Sequence, residues 1–239
     1  MFNKSSLIRS VILAGIICIC IGGSVCAQSK SDTSFTAKKH RLMFSAGMGI
    51  SLQDNSSFVT YLRNEIPYAT ADSVKTFSAA IEFFGGIEYV LSKKFSLKLD
   101  YSYYLRSSNY TDIYGFKYNY DIIIHQPYLM GYYLMQNKSF DLKLGVGAGY
   151  HIGKVNRLFD PNPSVSYTAN GFSFRGEVVF APYMTKKLQA YISGFIVASS
   201  FQSLKDSNGN YLTSTNSTQQ VNLSSFGVGA RIGFIYNIF

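Results

Sequence analysis

The sequence predicts an all-β fold, namely an eight-stranded antiparallel transmembrane β-barrel that follows an N-terminal signal peptide. Apolar and polar residues alternate with period two through most of the chain, which is typical of strands with one apolar and one polar face. The 239 residues include 20 Gly, 19 Tyr and 19 Phe but only 15% charged residues, a composition that fits one β-barrel better than a helical domain. After residue 27 no run reaches the roughly 20 apolar residues of a membrane helix, so any membrane must be crossed by strands.

The N-terminus has the three parts of a secretory signal. Lys4 and Arg9 precede an apolar run over 11–21, and small residues then lead to Ala27. We predict cleavage after Ala27, which makes 1–27 the signal peptide. A retained membrane helix is the alternative, and the shortness of the apolar run argues against it.

All three cysteines, Cys18, Cys20 and Cys26, lie inside the predicted signal peptide. A lipoprotein attachment at Cys26 is disfavoured because the preceding Gly-Ser-Val is a poor lipobox. The mature chain is therefore expected to have no disulfide and no thiolate metal site.

The mature chain is basic. Removing 1–27 takes away two of the 22 Lys and Arg and none of the 13 Asp and Glu, which leaves 20 against 13 and a formal charge of +7. A short periplasmic N-terminal segment is predicted at 28–40, and the one dense basic cluster, Lys38, Lys39 and Arg41, lies at its C-terminal end. This pattern suits acidic lipid head groups more than a nucleic-acid groove, so no nucleic-acid partner is expected.

The alternation predicts one barrel over 41–239. The third strand shows the pattern most clearly, with Phe95, Leu97 and Leu99 on one face and Ser96, Lys98 and Asp100 on the other. The predicted strands lie at about 42–51, 76–90, 95–106, 118–135, 140–153, 172–183, 188–202 and 221–239.

Short and long connections between these strands alternate. Tight turns are predicted near 92–94, 136–139 and 185–187, and longer polar connections at about 53–74, 107–116, 155–170 and 203–219. Outer-membrane barrels have short periplasmic turns and longer external loops. We therefore expect a barrel in the cell outer membrane, surrounded by outer-membrane lipid, with both termini in the periplasm.

The charged residues define the predicted lumen, because a Lys or Arg on the lipid face at mid-bilayer costs about 2–4 kcal/mol. On the fourth strand we place Ile122, Ile124, Tyr128, Met130 and Tyr132 outward, with Gln126 as a polar exception. The predicted structural charge network inside the barrel comprises Glu82, Glu88, Lys98, Asp100, Arg106, His125, His151, Arg175, Glu177 and Arg231.

Tight turns also predict the register, since opposed residues keep a nearly constant sum of residue numbers. This rule pairs Glu88 with Lys98, His125 with His151, and Tyr132 with Leu144. Glu88 and Lys98 then offer a buried ion pair.

Strands six and seven follow the pattern less well. Val179, Phe195 and Val197 fall on their predicted inner face. Either the lumen is partly apolar there or a bulge shifts the register.

The strands resemble small outer-membrane β-barrels of the OmpX and OmpA transmembrane type, including the PorT-like outer-membrane β-barrel domain family. The resemblance covers roughly 42–239 and lies in glycine-rich alternating strands such as 142–150 and the closing strand 226–239. It implies that Phe239 is a C-terminal insertion signal and that the barrel insertion machinery is a partner.

An eight-stranded barrel is just wide enough to be filled by side chains, so a general diffusion pore is not expected. The predicted function is a non-enzymatic anchor that displays surface loops or contacts an envelope or secretion partner, with no catalytic residue, metal or cofactor. The loop 53–73, with Phe58, Tyr61, Ile66 and Tyr68, is interpreted as a cap over the barrel mouth or as a binding site.

Three alternatives stay open. The barrel could be an outer-membrane enzyme acting on lipid A or peptides, or a narrow solute channel. The candidate catalytic groups would be the bases His125 and His151, the serines Ser102 and Ser193, and the acids Glu82, Asp100 and Asp121. His125 and His151 could instead share a metal ion if they face each other.

Overall fold

A computed structural model of the chain describes residues 42–65, 77–111, 115–159, 162–214 and 217–238. It contains one helix, α1 (Ser56–Glu65), and ten strands within these residues. The strands are β1 (Leu42–Asp54), β2 (Phe77–Val90), β3 (Phe95–Thr111), β4 (Lys117–Gln136), β5 (Phe140–Phe159), β6 (Asn162–Pro182), β7 (Leu188–Phe201), β8 (Thr213–Ser214), β9 (Ser217–Gln220) and β10 (Ser225–Asn237). The predicted signal peptide 1–27, the segment 28–40, Ile66, Tyr68 and the insertion signal Phe239 lie outside the described residues.

Eight of the strands form a closed barrel. From β1 to β7, each strand pairs antiparallel with the next strand in the chain, and β10 closes the ring by pairing with both β7 and β1. The predicted all-β, eight-stranded antiparallel barrel is therefore confirmed. Among the described residues, no helix combines the length and apolarity required to cross a membrane.

The outer surface of the barrel is a band of apolar side chains bordered by aromatic ones. Along β3, Leu97 and Leu99 are 42% and 60% exposed, between Phe95 on one side and Tyr101 on the other. The other barrel strands repeat this pattern with Ile, Leu, Val and Phe. An outward apolar band with aromatic borders is the surface that a bilayer requires.

The barrel strands differ in length. β3 to β6 have 17 to 21 residues, whereas β1, β2, β7 and β10 have 13 or 14. The predicted long connections at 107–116 and 155–170 are therefore wrong in part, since strand pairing continues to Thr111 opposite Lys117 and to Phe159 opposite Asn162. The extra residues form a four-stranded wall at the end of the barrel opposite the tight turns, which we call the loop end.

The inward and outward faces of β4 are the reverse of those predicted. Ile122, Ile124, Tyr128, Met130 and Tyr132 are at most 2% exposed and point into the barrel, as does Gln126. Tyr132 lies opposite Gly145, and Leu144 lies opposite Tyr133, one residue from the predicted register. Both faces of β4 are apolar, so period two could not decide which face is inward.

The loop after β1 forms part of a cap. The side chains of Phe58, Val59 and Leu62 in α1 are at most 2% exposed, and their spacing puts them on one face of the helix. They belong to a core at the loop end that also contains Tyr120 of β4 and Leu204 of the segment after β7. The interpretation of this loop as a cap is thus favoured by the packing.

Candidate functional site

The buried charges of the barrel are equal in number and opposite in sign. Among the described residues, five acidic side chains (Glu82, Glu88, Asp100, Asp141 and Glu177) and five basic ones (Lys98, Arg106, Lys143, Arg175 and Arg231) are buried. Nine of the ten residues of the predicted charge network are buried in the barrel, and His125 is not. Sequence reasoning also placed Asp141 and Lys143 inward but left them out of the network. A lumen with no net formal charge suits a structural core, because each buried ion needs a counter-charge.

Two arginines from different strands hold the centre of this network. Arg231 donates to Asp100 at 3.0 Å and to the Ser102 hydroxyl at 2.6 Å, and it also donates to Glu82. Arg175 approaches the same two carboxylates, at 3.2 Å from Glu82 and 3.5 Å from Asp100. Four strands of the barrel are thereby tied together through the lumen.

The arginines also contact aromatic rings. The Arg231 guanidinium lies 4.8 Å from the ring centre of Phe84 and 5.1 Å from that of Phe195. The Arg175 guanidinium lies 4.1 Å from the ring centre of Tyr128. Such stacking favours a desolvated cation, so these apolar side chains support the charges rather than oppose them.

The predicted register of Glu88 opposite Lys98 is confirmed, but the two do not form the expected ion pair. Lys98 instead lies 2.7 Å from Asp100, and Glu88 accepts from Lys143 at 2.7 Å and from Ser96 at 2.6 Å. The partners come from within β3 and from β5 across the lumen. Strand register therefore did not determine which charges meet.

Glu177 is held by hydroxyl groups. One carboxylate oxygen accepts from Tyr191 and Ser193, both at 2.6 Å, and the other accepts from Tyr132 at 2.6 Å. Arg231 is 3.6 Å away. Sequence reasoning missed Tyr132 as a partner because it was placed outward, and it did not consider Tyr191.

The apolar residues predicted inside strands six and seven do line the lumen. Val179, Phe195 and Val197 are at most 5% exposed, and β6 pairs with β7 without a register shift. Of the two alternatives for these strands, the partly apolar lumen is correct.

The histidines occupy opposite sides of the barrel wall. His125 points outward, opposite the prediction, and its Nδ1 lies 2.6 Å from the Tyr101 hydroxyl on the outer surface. His151 is fully buried inside and faces Gly171, while His125 pairs with Ile152. The predicted pairing of the two histidines, and with it a shared metal ion, is wrong. Among the described residues, no group of three or more metal-binding side chains occurs.

His151 has a serine neighbour that sequence reasoning did not identify. The Ser173 hydroxyl lies 2.6 Å from His151 Nε2 and 2.8 Å from the Tyr128 hydroxyl, which is itself 2.7 Å from the same nitrogen. β5 and β6 bring these groups together, because Ser173 pairs with Gly149, two residues before His151. Nδ1 of His151 is buried without a hydrogen bond in the part of the chain described, so no acidic group orients the ring.

The interior is closed to solvent at the height of the charges. The side chains of Lys98, Arg175 and Arg231 are 0–1% exposed. A water-filled channel would wet its charged lining, so this layer behaves as packed interior. The cap core lies on the loop-end side, and a second apolar cluster, including Met43, Leu134 and Ile235, lies toward the tight turns.

In amino-acid sequence, no protein-family model and no curated protein matches the chain. In fold, the chain is similar to Neisserial surface protein A, with a TM-score of 0.53 and 8% identity over 82% of this chain and 97% of that one. Lower scores relate it to the attachment invasion locus protein Ail of Yersinia pestis (TM-score 0.46, 9% identity, 82% and 97% covered) and to a major outer membrane protein from Thermus thermophilus (TM-score 0.47, 12% identity, 82% and 98% covered). The fold is that of the small outer-membrane β-barrels, as the resemblance in sequence implied, and it supports a location in the outer membrane.

Proposed function

We propose that this protein is a non-enzymatic outer-membrane anchor, whose filled barrel presents a rigid surface at the loop end to a partner. The observation that carries the proposal is the lumen, where the charged side chains of the described residues are buried and balance one another in number. A transported solute would have to displace these ion pairs, at a cost of several kcal/mol for each uncompensated charge.

The structured loop end supports display as the role of the molecule. The extended parts of β3 to β6 stand beyond the apolar band, and α1 packs against their inner side. Asn55 fixes the start of this helix from both sides, since it donates to the Leu223 carbonyl at 3.1 Å and accepts from Arg106 at 3.2 Å. A preorganised surface loses little conformational entropy when it binds a partner.

Cysteine labelling of intact cells tests which end is displayed. Because the predicted mature chain has no cysteine, Asn208→Cys at the loop end and the matched Asn137→Cys at a tight turn each provide a unique thiol. A membrane-impermeant maleimide should label Asn208→Cys on intact cells and Asn137→Cys only after lysis. The reverse result would place the loop end in the periplasm and contradict surface display.

The partner is sought by crosslinking in the native envelope, followed by purification in mild detergent. A component that co-purifies in a fixed ratio supports an anchoring role in an assembly. A barrel that is recovered alone directs the search to ligands outside the cell.

An enzymatic function has one specific observation in its favour, the contact between Ser173 and His151. Ser173 is only 1% exposed and the histidine lacks an acidic partner among the described residues, which argues against a working nucleophile. A fluorophosphonate probe tests this alternative directly. Labelling that is lost in Ser173→Ala would establish a reactive serine and overturn the non-enzymatic proposal.

A further inference from the structure

The three tight turns of the barrel share one composition, a polar side chain followed by lysine. They occupy 92–94 between β2 and β3, 137–139 between β4 and β5, and 185–187 between β6 and β7. Their five lysines are all exposed, namely Lys93, Lys94, Lys138, Lys186 and Lys187. We call these the turn lysines.

The first side chain of each turn fixes its backbone. The Ser92 hydroxyl accepts from the backbone amide of Lys94, and the Thr185 hydroxyl accepts from that of Lys187, both at 3.3 Å. The side-chain oxygen of Asn137 accepts from the amide of the next residue at 2.7 Å. Side-chain bonds of this kind are typical of ordered turns, so the lysines project from a defined backbone.

Each turn is also joined to the adjacent part of the barrel wall. The carbonyl of its last residue accepts a hydrogen bond from a backbone amide of the neighbouring strand. These pairs, acceptor first, are Lys94 with Leu134, Ser139 with Tyr183 and Lys187 with Asn237, at 2.8–2.9 Å. The turns therefore belong to the rim of the barrel and hold the lysines at that level.

The turn lysines have no counter-charge among the described residues. None of their ammonium groups forms an ion pair or a hydrogen bond with that part of the chain. The nearest acidic side chains along the strands, Glu88 and Asp141, are each 4% exposed and already accept from other side chains. At the loop end, by contrast, exposed lysines occur together with Asp121 and Asp206. The described surface is thus positive at the turns and mixed in sign at the loop end.

Exposed apolar residues adjoin the turn lysines. Leu91 is 63% exposed and Phe95 is 54% exposed on either side of the first turn, and Met184, beside the third, is 59% exposed. These residues end the apolar band of the barrel. A lysine placed at the end of such a band lays its stem along apolar surface and holds its charge at the level of the lipid head groups.

This position distinguishes a lipid from an acidic protein as the partner. The charges lie at the boundary between water and the surface that lipid covers, and an anionic head group reaches them without leaving the bilayer. We infer that the turn lysines bind the head groups of anionic phospholipids, in preference to zwitterionic ones, in the leaflet around the tight turns. Each lysine near an anionic membrane surface favours binding by about fivefold.

Native mass spectrometry of the full barrel in neutral detergent measures the preference directly. With equimolar phosphatidylglycerol and phosphatidylcholine, we expect the anionic lipid to bind at least about tenfold more strongly, as for two lysines that share one head group. Equal binding of the two lipids would overturn the proposal.

Two triple variants with the same change in charge locate the site. Lys93→Gln, Lys138→Gln and Lys186→Gln together remove one lysine from each turn and should reduce the preference at least about fivefold. Lys117→Gln, Lys154→Gln and Lys205→Gln remove three exposed lysines of the loop end and should change it less than about twofold. Heat-dependent gel mobility verifies that both variants are folded. Equal losses in the two variants would show a general effect of charge and refute the site.

An acidic protein as the partner has a different signature. Fluorescent polyglutamate, followed by anisotropy in the same detergent, should bind the wild type and the turn variant equally weakly. Binding of polyglutamate that requires the turn lysines, without a lipid preference, would assign them to an acidic protein and contradict our inference. The inference holds whichever end of the barrel faces the cell exterior, so its failure would leave the display proposal unaffected.

Discussion

Replacement of Arg231 by methionine tests whether the charge network holds the barrel together. The side chain is fully buried, and its removal takes a cation from Glu82 and Asp100 and changes the lumen from five charges of each sign to four positive and five negative. Breaking one partner of a buried ion pair costs about 3–5 kcal/mol. We expect Arg231→Met to lower the free energy of unfolding by about 3 kcal/mol, the lower end of that range, because Arg175 still contacts both carboxylates.

Urea unfolding of the protein folded in phospholipid vesicles, followed by circular dichroism and gel mobility, measures this loss. Arg231→Lys keeps the charge but not the planar guanidinium group, so its free energy of unfolding should lie between those of wild type and Arg231→Met. The double variant Arg231→Met with Glu82→Gln restores equal numbers of charges and should be at least about 1 kcal/mol more stable than the sum of the single effects predicts. A loss below about 1 kcal/mol for Arg231→Met, or strict additivity in the double variant, would refute the reasoning.

Two further pairs of substitutions, each a test with its control, examine the packing and the membrane face. Gly233→Ala should lower the free energy of unfolding by about 1–3 kcal/mol, because the added carbon meets the backbone of Ala46 and Gly47. Gly131→Ala is the control and should change it by less than about 0.5 kcal/mol, because the added carbon would lie 3.9 Å from the Val146 carbonyl oxygen. Equal effects of the two substitutions in urea titrations would contradict the close approach of β1 and β10. Leu99→Arg in the apolar band should lower the free energy of unfolding in vesicles by about 2–4 kcal/mol, whereas Leu158→Arg in the extended part of β5 should change it little. An unchanged free energy of unfolding for Leu99→Arg would contradict the membrane orientation of β3.

Much of the barrel could be predicted because its signals are local. On β3 every second residue is charged or hydroxylated, so the inward face was identified correctly from Ser96 to Arg106. Tight turns fixed the register of Glu88 and Lys98. Period-two alternation and turn length are properties of short segments, and they carry over directly into the fold.

β4 could not be predicted in the same way. Ile122, Ile123 and Ile124 are all apolar, so they do not distinguish the faces. Asp121 and His125 were placed inside on the ground that charges avoid lipid, and Gln126, which indicated the opposite facing, was accepted as an exception. Asp121 lies in the extended wall, where it accepts from Ser107 at 2.6 Å, and His125 reaches the Tyr101 hydroxyl near the aromatic border. A polar group outside the middle of the apolar band costs little, so the cost of a charge on the lipid face does not decide the facing at these positions.

The candidate site was predicted as a set of residues but not as a set of contacts. Which carboxylate meets which cation depends on side chains that reach across the lumen, such as Lys143 to Glu88 and Arg175 to Glu82. The contact of Ser173 with His151 likewise joins two strands through a long hairpin. Strand periodicity contains no information about distances across a barrel.

Single-channel recording in planar bilayers tests the filled lumen most directly. The folded protein should insert without producing stable conductance steps at physiological salt, because buried ion pairs and two apolar clusters occupy the interior. Reproducible conductance steps that disappear in a heat-unfolded sample would show a continuous water path and contradict the anchor account.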